Sequence, residues 1–231
     1  MTYAETLGLL KNNSLPSLVQ EELEAMLRKG DFLPGDALRE ATLANQLGVS
    51  RGPIREAFRS LEEKGLVTVE KNRGVFVRVI SAQEADEIFE VRTALEKLIV
   101  ARLTKAPAVL IDSDVPALLV KAKKMALKGD VAACHVLNIQ FHERLAKLAG
   151  NETLLNTYQR LVNELSLFRH EAHASQSDRS SLLQSAADHQ ALFDAIVQSD
   201  QRQALAILKR HVDESRKRLK KILIHSTKVV L

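Results

Sequence analysis

Apolar positions recur along this chain with two different periods. Near the N-terminus Val19, Leu23, Met26 and Leu27 fall on one helical face, which predicts a helix over 17–29 capped by Ser17 and stopped at Gly30. Leu33-Pro34-Gly35-Asp36 reads as a turn. A second helix is predicted over about 40–47, burying Leu43 and Leu47, and a third from Arg51 or Gly52 to Lys64 with Ile54, Ala57, Phe58 and Leu61 inward. Gly48-Val49-Ser50 is the tight turn between them, with Ser50 as N-cap and Pro53 in the first helical turn, where its missing N–H costs nothing. The period then shortens to two: 66–70 and 74–78 alternate as strands, joined by the basic tip Lys71-Asn72-Arg73.

Around Ser81 helical periodicity returns and persists. Six helices are predicted, over roughly 83–105, 110–128, 130–149, 151–173, 180–198 and 201–224, with short links at Gly129-Asp130 and Gly150-Asn151-Glu152 as between antiparallel neighbours. Most Gly and Pro residues precede residue 75, so short elements give way to long ones. The expected fold is mainly α: a winged helix-turn-helix unit over 1–80, then an all-helical antiparallel bundle over 81–231.

Composition narrows the function classes. The 231 residues are 45% hydrophobic and 27% charged, as in folded globular proteins. Aromatics are 4% with no Trp, which argues against stacking platforms for single strands. The single cysteine, Cys134, excludes a disulfide framework and cysteine-rich zinc modules, and fits a reducing cytoplasm. No run approaches the roughly 18 apolar residues of a membrane span, and residues 1–29 lack a signal-peptide core. The net charge of +4 is unevenly placed. Acids and bases balance over 1–80, with the bases gathered in 51–80, whereas the excess lies at the end of the chain, from Lys209 onward.

In the third helix Arg51, Arg55 and Arg59 recur every four residues, a basic stripe opposite the apolar one. Such a helix fits the DNA major groove, its Arg side chains reaching phosphates or guanine edges. A solvated face paired with Glu56, Glu62 and Glu63 would look the same from spacing alone. The preceding helix, the Gly turn and the basic wing favour the nucleic-acid reading.

The segment from Pro34-Gly35 through Leu43-Ala44-Asn45-Gln46-Leu47-Gly48-Val49-Ser50-Arg51-Gly52-Pro53-Ile54-Arg55-Glu56-Ala57, with Leu61, Gly65-Leu66-Val67 and Gly74, resembles the DNA-binding domain of GntR-type bacterial repressors. The resemblance covers about residues 15–79. It implies that Arg39, Ser50, Arg51, Gly52, Pro53, Arg55 and Arg59 form the DNA surface, and that Arg73 and Gly74 of the wing touch the minor groove or backbone. The family commonly has Thr at the position of Gly52, so one hydroxyl contact to phosphate is missing.

Candidate chemistry in the second part lies in histidines. Asn138 and His142 are i,i+4 on one predicted helix, and His189 and His211 lie on two others, each beside apolar residues. Three imidazoles and an oxygen donor converging in a bundle would suit a divalent transition metal such as Zn²⁺ or Ni²⁺. Histidines satisfied by carboxylates or carbonyls fit the spacing equally. Arg92 has a similar double reading, since it can pair with Glu96 at i,i+4. The region resembles the FCD ligand-sensing domain of the FadR-like branch of GntR regulators, through Val91–Glu96, Asn138–His142, Asp188-His189, Ala195-Ile196, Asp200, Ala204 and His211. The resemblance implies a metal held by Asn138, His142, His189 and His211, with Asn138 where the family has Asp, and a carboxylate effector facing Arg92. His135, one turn before Asn138, can substitute as a ligand or pack in the core. Cys134 reads as a small packed residue, and the basic C-terminal helix as a solvated face.

Three functions compete. The first is a ligand-responsive, homodimeric transcriptional regulator, with repression the commoner mode, on pseudo-palindromic operator DNA. The second is a metal-dependent hydrolase using the three histidines. His142-Glu143 begins an H-E-x-x-H pattern, but Ala146 stands where the second His is required, and no phosphate loop or G-x-S-x-G elbow is present, so an enzyme is not expected. The third is an architectural DNA binder without an effector, which leaves the inward His and Arg of a large bundle unexplained.

Overall fold

The computed structural model describes residues 14–166 and 179–227, with side chains of the last helix placed as far as Leu219. The chain divides into two compact units, residues 1–80 and 81–231.

In the first unit, α1 (Leu15–Lys29), α2 (Glu40–Leu47) and α3 (Arg51–Glu63) share a core with a small sheet. The N-cap of α1 is Ser14 rather than Ser17: Pro16 occupies the first turn, and the Ser14 hydroxyl accepts from the Ser17 N–H. α1 buries Val19, Leu23, Met26 and Leu27 against Ile54, Ala57, Phe58 and Leu61 of α3. In α2 the buried pair is Leu43 and Ala44, and Leu47 is only half-buried, because Gly48 turns the chain there. Gly48 has φ +66°, and its left-handed backbone carries the N–H to the carbonyls closing α2.

The wing has one strand more than expected. β1 (Ala37–Leu38), β2 (Val67–Glu70) and β3 (Gly74–Val77) form an antiparallel sheet in the order β1-β3-β2, with Ala37 opposite Phe76 and Val67 opposite Val77. A two-residue strand is too short to show alternation, so its pairing is a tertiary effect. Gly35 N–H donates to Val77 O and Val77 N–H to Asp36 O, which locks the turn before β1 onto the wing.

The second unit comprises, among the described residues, α4 (Ala82–Leu103), α5 (Ala108–Ile111), α6 (Val115–Lys128), α7 (Val131–Leu148), α8 (Glu152–Ser166), α9 (Arg179–Val197) and α10 (Gln201–Thr227). The helix predicted over 110–128 is thus two. Pro116 has no N–H with which to continue a helix from the preceding turn, and Ser113 bridges the break by donating to Leu110 O and accepting from Val115 N–H. Of the helix predicted over 151–173, residues 167–173 lie outside the described residues. α10 packs along α4 and α9, and α6 along α7 and α9. The unit has a continuous apolar core that includes Phe89, Phe141, Tyr158, Leu165, Leu192 and Ile196. No helix among the described residues is long and apolar enough to cross a membrane.

Candidate nucleic-acid interface and metal centre

In the first unit the apolar face of α3 is completely enclosed, with Ile54 and Leu61 at 0% exposure. Truncating a fully buried Leu typically costs about 2–5 kcal/mol. The opposite face carries Arg51, Arg55 and Arg59, all exposed. Neither Arg51 nor Arg59 is ion-paired to a described residue, whereas the Nε of Arg55 donates to both carboxylate oxygens of Glu40 in α2, at 3.0 and 2.8 Å. An exposed pair of this kind contributes about 0–1 kcal/mol. Packing therefore fixes α3, and Glu40 orients Arg55 through its Nε while the side chain stays exposed. The alternative reading, a stripe paired with Glu56, Glu62 and Glu63, is not seen among the described residues; Glu62 instead accepts from the Val69 N–H of β2.

Ser50 occupies the N-cap position of α3, but its hydroxyl makes no capping bond. The first N–H groups of α3 and this exposed hydroxyl thus remain available to an anion. Gly52 is exposed, has no left-handed backbone, and a Cβ there would meet nothing within 4 Å. The fold does not require glycine at this position. Pro53 is half-buried, and Arg39 is exposed at the N-cap of α2. At the wing tip Asn72 has φ +63° and Gly74 φ +116°, and Arg73 is ion-paired with Glu70 and lies 5.5 Å from the Phe76 ring centre. Arg73 is held by strand residues and not by the hairpin tip itself.

In the second unit the three histidines meet. His142 of α7, His189 of α9 and His211 of α10 are all buried, and the Nε2 of His211 lies 3.3 Å from the Nε2 of both others. One ligand nitrogen from each falls within 4.8 Å of the rest. The other ring nitrogens of two of them face buried carboxylates: His142 Nδ1 lies 3.6 Å from Glu96 Oε1, and His211 Nδ1 lies 3.7 Å from Asp188 Oδ2. A proton on Nδ1 is stabilised by each carboxylate, which leaves the Nε2 lone pairs converging. Lone pairs at that distance repel unless a proton or a cation stands between them. Burial holds His189 well below the ordinary histidine pKa, reinforced by His211, so its imidazole is neutral and able to donate electrons. Burial opposes ionisation of Asp188, but His211, Arg210 and Gln184 outweigh it and hold its carboxyl below the usual range.

Arg92, His135, Asn138, His142, Tyr158 and His211 line a cavity of about 20 Å³ beside the cluster. That space fits a water or an ion, and a larger ligand requires the pocket to open. Asn138 is thus at the cluster but half-exposed, and His135 shares the cavity. Arg92 is buried, lies 3.4 Å from Glu96 Oε1 and stacks at 4.7 Å over the Phe89 ring. Its Nε nonetheless has no hydrogen-bond partner, and neither does Glu96 Oε2. In geometry Arg92 is the ion-pair partner of Glu96, and it also lines the cavity.

Sequence reasoning did not assign Glu96 and Asp188 to the site. The signal was present, since Glu96 interrupts the apolar face of α4 and Asp188 precedes His189, but charge on an inward face has many uses. In the basic C-terminal helix Arg210 pairs with Asp188, Arg216 with Asp86 and Lys217 with Glu214.

Comparison with known proteins matches both units. Residues 16–77 match the model of bacterial regulatory proteins, gntR family, and residues 87–214 match the FCD domain. The chain is 28% identical to the HTH-type transcriptional regulator YdhC of Bacillus subtilis, over 87% of this chain and 89% of that one. It is 27% identical to the HTH-type transcriptional repressor GlaR of Escherichia coli, over 80% and 86%. The solved structure of E. coli McbR/YncC has the same fold, with a TM-score of 0.79 and 23% identity over 90% of this chain and 98% of that one.

Proposed function

The chain belongs to the gntR family of bacterial regulatory proteins and carries an FCD domain, a transcriptional regulator and not an enzyme, and from that premise we propose that it is a homodimeric repressor whose operator binding responds to a small carboxylate sensed beside a bound divalent metal. The observation that carries the sensing half is the convergence of three buried imidazole nitrogens, with the far sides of His142 and His211 facing Glu96 and Asp188. The 3.3 Å from His211 Nε2 to each of the other two matches the ligand spacing of a tetrahedral ion with bonds of about 2.0–2.1 Å, as for zinc. His142, His189 and His211 would hold the ion, with Asn138 as an uncharged oxygen donor, and the bound cation would supply positive charge to attract a carboxylate. Arg92, which lines the same cavity and whose buried Nε is ion-paired with Glu96 without a hydrogen bond, would add a second anchor.

In the DNA half, α3 presents Arg51, Arg55 and Arg59 together with a free helix N-terminus, and the wing presents Arg73. Two copies would place two such helices about one turn of DNA apart on a pseudo-palindrome. Opening of the cavity around an acid would shift the population between states of different operator affinity. The repressor named among the relatives supports this sign of regulation. The metal-dependent hydrolase reading is not supported, because the relatives and the fold are those of regulators.

The experiment that tests the reading is a thermal-shift screen of small organic acids with and without Zn²⁺ or Ni²⁺, followed by operator mobility shifts with each hit. A stabilising acid that needs the metal and weakens the DNA complex is expected. A transition unmoved by every metal and acid refutes the sensing half.

A further inference from the structure

We propose that Glu96 is a positioning residue that couples the carboxylate anchor to the histidine cluster. Its one carboxylate serves both Arg92 and His142, so freeing it from Arg92 strengthens the hold of the histidines on a cation, and the reverse also applies. This coupling rests on the metal reading above and goes beyond it by naming the residue through which the two ligands act on each other. Arg92 and Glu96 are i,i+4 on the buried face of α4, with the base N-terminal to the acid, the less favourable order in a helix. A charge pair buried this far normally forms full hydrogen bonds, because an incomplete pair does not offset the desolvation of its members. This pair is incomplete.

One oxygen faces three groups while the other faces none. Glu96 Oε1 accepts from the Tyr158 hydroxyl at 2.8 Å, and it lies 3.4 Å from Arg92 Nε and 3.6 Å from His142 Nδ1. Arg92 Nε is ion-paired there without a hydrogen bond, and Glu96 Oε2 is buried with no hydrogen-bond partner. A carboxylate has about four acceptor sites, so this one has capacity for either neighbour. Tyr158 tethers it, and a small rotation about that tether brings an oxygen to one neighbour at the expense of the other. Room for the shift exists. A void of about 10 Å³ lies against Glu96 and His142, walled by Leu145, Leu192 and Leu208. Close-packed interiors leave few such spaces, and this one is apolar and at the lower limit for a water.

The coupling has a sign. A carboxylate bonded to Nδ1 of a histidine makes Nε2 the better electron donor, and Arg92 competes for that carboxylate. An anion seated on the Arg92 guanidinium weakens its attraction for Glu96, which then turns to His142. Cation affinity at the cluster rises, and by thermodynamic necessity His142 with a cation on Nε2 favours the anion at Arg92 by the same factor.

A double-substitution cycle tests this, with zinc alone as the probe and competition against a chromogenic chelator as the readout. Arg92→Met removes the competitor and keeps an unbranched chain over Phe89, and it is expected to tighten zinc about 10-fold. Glu96→Gln keeps an acceptor for Tyr158 but lacks the charge that Arg92 and His142 share. In that background Arg92→Met should tighten zinc by a factor smaller by more than about 3-fold, beyond the scatter of independent sites. Charges that act on the metal separately, without a shared carboxylate, give the same factor in both backgrounds. Arg92→Gln repeats the comparison if Arg92→Met loses its helical circular-dichroism spectrum. Zinc binding by the parent with equal factors in the two backgrounds, or looser zinc in Arg92→Met, overturns the coupling and leaves the metal reading standing. A parent that takes up no zinc overturns both.

Discussion

The Nε2 atoms of His142 and His211 lie 3.3 Å apart at the centre of the helical unit, and each ring turns its Nδ1 toward a different buried carboxylate. The site is therefore organised from outside inward: Glu96, itself accepting from Tyr158 at 2.8 Å, and Asp188 set the rings, and the rings set the space between them.

Removing ligands should remove the metal. The His189→Ala/His211→Ala double variant is expected to retain less than a tenth of the parent's zinc or nickel in elemental analysis after dialysis. It should also lose the metal-dependent rise in melting temperature that mass action gives the parent. Equal metal content in variant and parent would eliminate the site.

Charge around the site should tune affinity in both directions. Asn138→Asp restores an anionic oxygen at the cavity and should tighten binding, whereas Glu96→Gln loosens the orientation of His142 and should weaken it by about 10–100-fold, the usual effect of losing an outer-shell partner. Competition against a chromogenic chelator reads both.

Acid should destabilise the metal-free bundle in two stages. The folded-state pKa of His189 is depressed by burial, so unfolded chains bind more protons below about pH 6.5 and stability falls as pH drops past that value. Asp188 is depressed as well, and its contribution is complete above its ordinary carboxyl pKa and disappears as pH falls below about 4. Urea unfolding of chelator-treated protein at several pH values should show a first loss between pH 7 and 5. His189→Gln should reduce that first loss and leave the second.

Operator binding should depend on the exposed stripe and not on the total charge. Arg51→Ala is expected to weaken a specific complex by about 1–3 kcal/mol if it reads a base, and to do so without lowering the melting temperature, because Arg51 is exposed and ion-paired to no described residue. Gly52→Thr should fold without strain and strengthen the complex through an added phosphate contact. Fluorescence anisotropy over a salt series separates base from phosphate contacts by slope. An Arg51→Ala complex as tight as the parent's would displace α3 as the recognition helix.

Arg92→Ala should abolish the effect of an acid identified in the thermal screen on operator affinity while leaving affinity without acid unchanged. The same anisotropy titration with and without acid decides it. If binding without acid also fails, the Glu96 and Phe89 contacts of Arg92 matter for folding rather than sensing.

Much of the fold was legible because its signals are local. The face Ile54, Ala57, Phe58 and Leu61 is buried as periodicity required, and Gly48 takes the left-handed turn that a helix stop calls for. The deviations have local causes too: Pro16 moved the first cap to Ser14, and Pro116 split one helix into two. β1 was missed because two residues carry no period of their own. The basic C-terminal helix reads as a solvated face, and Arg210, Arg216 and Lys217 are exposed there while each also reaches an acid that spacing alone did not name.

By itself the sequence determined the helical periods, the turns, the division near residue 80 and the Arg stripe, since each depends on residues a few positions apart. Tertiary structure alone decided that residues 96, 142, 188, 189 and 211 share one buried site. It also decided that Glu40, 15 positions before Arg55, orients that side chain. Spacing fixes which face of a helix a residue occupies, but which faces meet depends on how the helices pack, and that is settled by apolar burial across the whole unit.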